Sequence, residues 1–301
     1  GDLASEKGIV LVNIASNHAR VAGLQHLGTP EGLKIAAKSL SLSAGFFGLV
    51  KEIGFEESGA NGSTLGGSIN HSLQNMMLGQ AQECLLGFAI LRDVSLKNRA
   101  VLANQTAVFY QLALAALARE GRSVAWRDHL TLRHKLYTFL AHCYNGACLL
   151  KLADDGDLPK YGEAIAHLRL ALQTFPDAKF VKKHCQKIPD PAFHPSWAEF
   201  RDKVATSLPK LEKSNMSVYL QHVPAFDKLE PVPKAEQFLA KPIVPTEEHF
   251  HNQTLATACQ PASGSQQEEV SAAAAVRAAE PAPTKRTDAE RPTDEAEDAA
   301  P

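Results

Sequence analysis

A chain of 301 residues that is 45% hydrophobic and 21% charged has the material for a sizeable core, and its formal net charge of −2 gives no reason to expect nucleic acid as a partner. Its five cysteines, at 84, 143, 148, 185 and 259, form no CxxC pair, which favours a reducing compartment over a disulfide framework. No uninterrupted apolar run reaches the roughly 18 residues of a membrane span, and a start at Gly1-Asp2 with no basic n-region or cleavage site reads as a cut through a larger protein, not a signal peptide.

Ser5 to Leu24 carries apolar residues at helical spacing, interrupted only by Gly8. Thr29-Pro30-Glu31 then marks a helix start, with Thr29 as N-cap, Pro30 in the first turn and Glu31 near the positive end of the dipole. This second helix should run to about Ile53 through Leu33, Ala36, Leu40, Ala44, Phe47 and Val50. Phe55 to Gly67, rich in Gly and Ser, reads as a flexible loop. Leu73 to Gln105 follows as two helices around a tight corner at Arg92-Asp93-Val94-Ser95, with Ser95 placed to cap the second, which should end near Arg119. In the first of the pair, Leu73, Met77, Ala81, Cys84, Phe88 and Leu91 make one stripe, while Leu78, Leu85, Leu86 and Ile90 fall outside it. A helix apolar on so many sides lies between layers or keeps one side for a partner.

A long helix is expected from Ser123 or Ala125 to just before Asp154, and another from Pro159 to Phe175, ended by Pro176. Phe180 to Pro195 reads as a loop with one turn at most. Trp197 to Leu208 is amphipathic, and Pro209 should end or kink it. From Ser217, prolines at 224, 231, 233, 242 and 245 forbid a continuous helix and predict an extended surface strap. Residues 246–301, with no aromatic after Phe250, lack the apolar surface to offset their ordering entropy and read as a disordered, low-complexity tail, with Ala272–Ala279 as a transient helix. The expected fold is therefore all-α: a helical-hairpin, tetratricopeptide-like solenoid with an extended C-terminal strap, although no strict repeat of 33–34 residues appears.

Four stretches carry a resemblance. EGLKIAAKSLSLSAGFF at 31–47, MLGQAQECLL at 77–86, LANQ at 102–105 and VYLQHVPAFDKLEPV at 218–232 resemble, in order and spacing, the Bro-type domain found in ALIX and in the His-domain tyrosine phosphatase. The resemblance covers about residues 5–245, so residues 1–245 are expected to form a partial Bro-type domain that lacks the family's first strands and helices. It implies a non-enzymatic scaffold that binds the C-terminal amphipathic helix of an ESCRT-III subunit in endosomal sorting. It also implies a cytoplasmic protein recruited to endosomes, with peripheral membrane contact and no cofactor.

The resemblance assigns partner-binding roles to Lys34 and Lys38, which meet acidic residues of the visiting helix, and to Leu85 and Leu102, which form the groove floor. From spacing alone, Lys34 and Lys38 share one helix face, and that face could simply be solvated; Leu85 and Leu102 could simply be core. Asn98 falls where relatives carry another apolar anchor, a loss of roughly 1.5–3 kcal/mol, or about tenfold in affinity. Hence the alternative of a truncated helical module that has lost ESCRT-III binding. Tyr219 matches a tyrosine that can be phosphorylated, though a packing role is favoured. His142-Cys143 suggests a phosphatase His-Cys-x5-Arg loop, but position 149 is Leu149 and the stretch reads as helix. No catalytic or metal motif occurs, and His249 and His251 are too few for a metal site.

Overall fold

The computed structural model describes residues 3–52, 67–118, 124–154, 160–184 and 195–250. Among them every long element is an α-helix: α1 (Leu3–Gly23), α2 (Pro30–Glu52), α3 (Gly67–Leu91), α4 (Leu96–Ala118), α5 (Val124–Asp154), α6 (Lys160–Thr174), α7 (Ala178–His184) and α8 (Pro195–Ser214). From α1 to α6 each helix packs on the one before it, and α8 closes against α6. Gly8 does not interrupt α1.

The start of α2 follows its sequence signal. Thr29 Oγ1 accepts the Gly32 N–H at 3.1 Å, which satisfies one of the donors that a helix N-terminus leaves free. The corner between α3 and α4 is also as expected: Ser95 Oγ accepts the Asn98 N–H at 3.4 Å, and Asp93 takes the left-handed conformation (φ 50°) that turns the chain. Asp93 also receives Arg99 at 2.5 Å, so the corner is tied to the first turn of α4.

α3 is apolar on many sides because it lies between two cores. Leu73, Met77, Leu78, Ala81 and Cys84 pack with Leu33, Leu40, Phe46 and Phe47 of α2. Leu86 and Ala89 pack instead with Leu102 and Tyr110 of α4 and with Leu136, Phe139 and Leu140 of α5. Among the described residues two helices, α2 and α4, are long and apolar enough to cross a bilayer by composition, a property that counting uninterrupted apolar residues misses. Here 67% and 61% of those windows are buried, so both serve as core helices.

At the C-terminal end, helix extends further than expected in two places. α8 does not stop at Pro209 but continues through it to Ser214. Pro209 and Ala205 are both exposed, so the carbonyl that loses its bond faces water. The start of the stretch expected to be a loop with one turn at most, residues 180–184, belongs to α7, whose first turn is capped by Asp177 Oδ1 accepting the Phe180 N–H at 2.6 Å; residues 185–194 lie outside the described residues. Beyond α8 a π-turn (Asn215–Tyr219) leads into an extended strap broken by short 3-10 turns at Phe226–Lys228 and Glu247–Phe250. Regular structure thus reaches Phe250, because the Thr246 carbonyl accepts the His249 N–H at 2.9 Å. The expected loop at Phe55–Gly67 lies outside the described residues except for Gly67, which begins α3, and residues 251–301 lie outside them too.

The strap is held by side chains from the body. Gln82, fully buried, donates to the Phe238 carbonyl at 3.1 Å and accepts the Ala240 N–H at 2.8 Å. Asn104 donates to the carbonyls of Val232 (2.7 Å) and Pro233 (3.2 Å). Further along, the Ile243 N–H donates to the Ser41 carbonyl at 2.9 Å, over Gly45. At the other end the Gly162 N–H donates to Gln221 Oε1 at 2.9 Å, and a Cβ at either glycine would collide with a strap carbonyl.

Candidate helix-binding face

Lys34 and Lys38 stand exposed one turn apart on α2, and neither has a carboxylate partner among the described residues. The antiparallel packing of α2 on α3 sets Leu33 beside Gly87 and Ala44 beside Gln74. That register brings Leu85 level with the stretch between the two lysines. Leu85 is half-buried against the α1–α2–α3 core. Leu102 is only 4% exposed and belongs to the α3–α4–α5 core, a different cluster from the one that Leu85 packs on, so it does not join the lysines and Leu85 on this face. Asn98 is exposed on the first turn of α4.

Phe88, expected in the core stripe, is half-buried one turn after Leu85. Lys34 Nζ stands 5.3 Å from its ring centroid, and the Arg92 guanidinium 5.5 Å from the same centroid. Exposed Ile35 and Leu91, at 46% and 38%, add apolar surface on the same two helices. Sequence reasoning missed this group: Arg92 lies four residues after Phe88 and reaches the ring locally, but Lys34 joins them only when α2 packs on α3.

The polar residues of the two motifs hold the fold together. Gln82, in QAQE, and Asn104, in LANQ, clamp the strap. Glu83 accepts the Tyr110 hydroxyl at 2.5 Å and faces Arg133 at 3.6 Å, tying α3 to α4 and α5. Burial, with the Glu83 charge next, pushes the Tyr110 and Tyr137 phenols well above their ordinary range. Tyr219 is half-buried and stacks on Tyr161 with centroids 3.9 Å apart, so it anchors the start of the strap.

The His142-Cys143 stretch lies inside α5, where no loop presents backbone amides to a phosphate. Burial pushes the Cys143 thiol well up and the Cys84 thiol to about 12, the reverse of what a thiolate nucleophile requires.

The described residues thus form a row of packed helices that carries, on its α2–α3 surface, cations without carboxylate partners beside half-buried apolar side chains. The BRO1-like domain model matches residues 1–267, and the chain belongs to that family. It is 25% identical over 254 residues to human tyrosine-protein phosphatase non-receptor type 23, covering 82% of this chain and 15% of that protein. It is 28% identical over 259 residues to human programmed cell death 6-interacting protein, covering 82% of this chain and 27% of that one. The chain therefore spans less than a third of the length of either relative. Among solved structures, the ALIX BRO1 domain in complex with CHMP4C superposes with a TM-score of 0.66 at 27% identity, over 80% of this chain and 64% of that one.

Proposed function

We propose that this chain is a non-enzymatic scaffold that binds the C-terminal amphipathic helix of an ESCRT-III subunit, and that it acts in endosomal sorting after recruitment from the cytoplasm. The observation that carries this reading is the α2–α3 face itself. Lys34 and Lys38 are exposed and unpaired beside Leu85 and Phe88, an apolar strip edged by positive charge that suits an acidic amphipathic helix. The likeness to the ALIX BRO1 domain seen with CHMP4C supports it. In this reading Lys34 and Lys38 meet carboxylates and Leu85 and Phe88 form the floor, while Leu102 stays in the neighbouring core.

The test is a titration of a fluorescent C-terminal CHMP4C peptide against the full chain and its variants Lys34→Glu, Lys38→Glu and Leu85→Asp. Micromolar binding that weakens about tenfold or more in each variant is expected. Equal binding by all four proteins overturns the assignment of the face.

Asn98 and the 4% exposure of Leu102 favour a second reading, in which the module has lost this partner. Absence of peptide binding by the folded chain selects it.

A further inference from the structure

Phe88 has two cations over one ring, and nothing anionic neutralises either. Lys34 and Arg92 form no ion pair among the described residues, although carboxylates lie close in sequence. Asp93, next to Arg92, is engaged with Arg99. Glu31, one turn before Lys34, makes no ion pair with it. The ring quadrupole attracts both cations, but two like charges held near one centroid also repel each other. An incoming anion relieves that repulsion, whereas an incoming cation or neutral helix does not.

We propose that Lys34, Phe88 and Arg92 form an aromatic-backed carboxylate clamp that determines which partner helix this face accepts. This rests on the reading of the face as a helix-binding surface, and it deepens that reading by specifying the partner's chemistry. Both cations lie within 5.5 Å of the centroid, so their charges are at most about 11 Å apart. At a rise of about 1.5 Å per residue, a helix spans that interval with acidic side chains three to seven residues apart. The preferred partner therefore presents two carboxylates at such a spacing on one face, with an apolar side chain between them resting on Phe88 and Leu85. Phe88 positions the two cations and Arg92 supplies the second charge, beyond the Lys34–Lys38 pair that the sequence displays.

The experiment measures the Kd of the full chain for the CHMP4C C-terminal peptide and for a copy whose acidic residues are changed to Gln. Wild type is compared with Arg92→Ala, Phe88→Leu and Lys34→Glu, with thermal melts to establish that each is folded. Arg92→Ala removes an exposed side chain, and Phe88→Leu keeps most of the apolar volume while deleting the ring. Each is expected to weaken the acidic peptide about five- to tenfold and to leave the neutral peptide nearly unchanged. If both bind the acidic peptide like wild type while Lys34→Glu loses it, the clamp is overturned and the helix-binding reading stands. If Phe88→Leu weakens both peptides equally, Phe88 is only floor, and the clamp is again overturned. If wild type binds neither peptide, the clamp and the reading beneath it fall together.

Discussion

Nδ1 of His142 lies 2.9 Å from Nδ1 of His167, and their rings stack with centroids 5.2 Å apart between α5 and α6. Asn145 Nδ2, a donor only, lies 2.9 Å from His167 Nε2, so that nitrogen accepts and His167 carries its proton on Nδ1. His167 then donates to His142. The chain works only while both rings are neutral, and burial holds both at about 4, with His142 as a further cause for His167.

Because both imidazoles sit below their ordinary 6.5, the unfolded chain binds more protons than the folded one between about pH 6.5 and 4. The stability they confer is complete above that window and is lost as pH falls through it. A loss on the order of 2 kcal/mol by pH 5 is expected. Urea unfolding at pH 7 and pH 5 measures it, and the difference should shrink in His167→Asn. A pH-independent midpoint over this window would contradict the pairing.

Gln82 tests the strap. Gln82→Ala leaves the Phe238 carbonyl and the Ala240 N–H without their bonds and should cost roughly 2–4 kcal/mol. Gln82→Glu keeps the acceptor for Ala240 but sets a buried carboxylate against the Phe238 carbonyl, and at pH 7 should cost at least as much. Limited proteolysis, read as the rate of cleavage between Val232 and Ile243, should rise in both variants.

Gly162→Ala should destabilise by more than about 1 kcal/mol, since the new methyl meets the His222 carbonyl, a backbone atom that cannot rotate away. Gly23→Ala meets nothing within 4 Å and should be neutral or slightly stabilising. Thermal melts of the two variants should therefore shift in opposite directions or, at the least, differ clearly.

A short pulse of thiol alkylation of the native chain at pH 8, read by peptide mass spectrometry, should label Cys148 at least about tenfold faster than Cys84 or Cys143. In urea the three should react alike. Rapid native labelling of Cys143 would reopen a catalytic role for it.

Local signals were legible where the physics is local. Thr29-Pro30 and Ser95 fix helix starts with bonds that span three residues, so the sequence displays them. The strap was legible from its prolines. That α8 continues past Pro209 was not legible, because the cost of the proline depends on whether the Ala205 carbonyl faces water, a tertiary fact. The partners of Gln82 and Asn104 lie 156 and 128 residues away, so no nearby pattern reveals that these motif residues hold the strap. The lysine pair followed from four-residue spacing. The depth of Leu102 did not, because α4 is apolar almost all round and its periodicity names no outward side. Phe88 and Arg92 were hidden for a related reason: their neighbour Lys34 belongs to another helix.

The strap meets α6 at Gly162, α4 at Asn104, α3 at Gln82 and α2 at Ser41, retracing the row of helices backwards. Its landing points line up only when these four helices hold their native places. A molecule with one rod misplaced offers an interrupted track, and the last ordered segment has nowhere to lie. The strap's hydrogen bonds therefore report on four helices at once, since each landing point is supplied by a different rod.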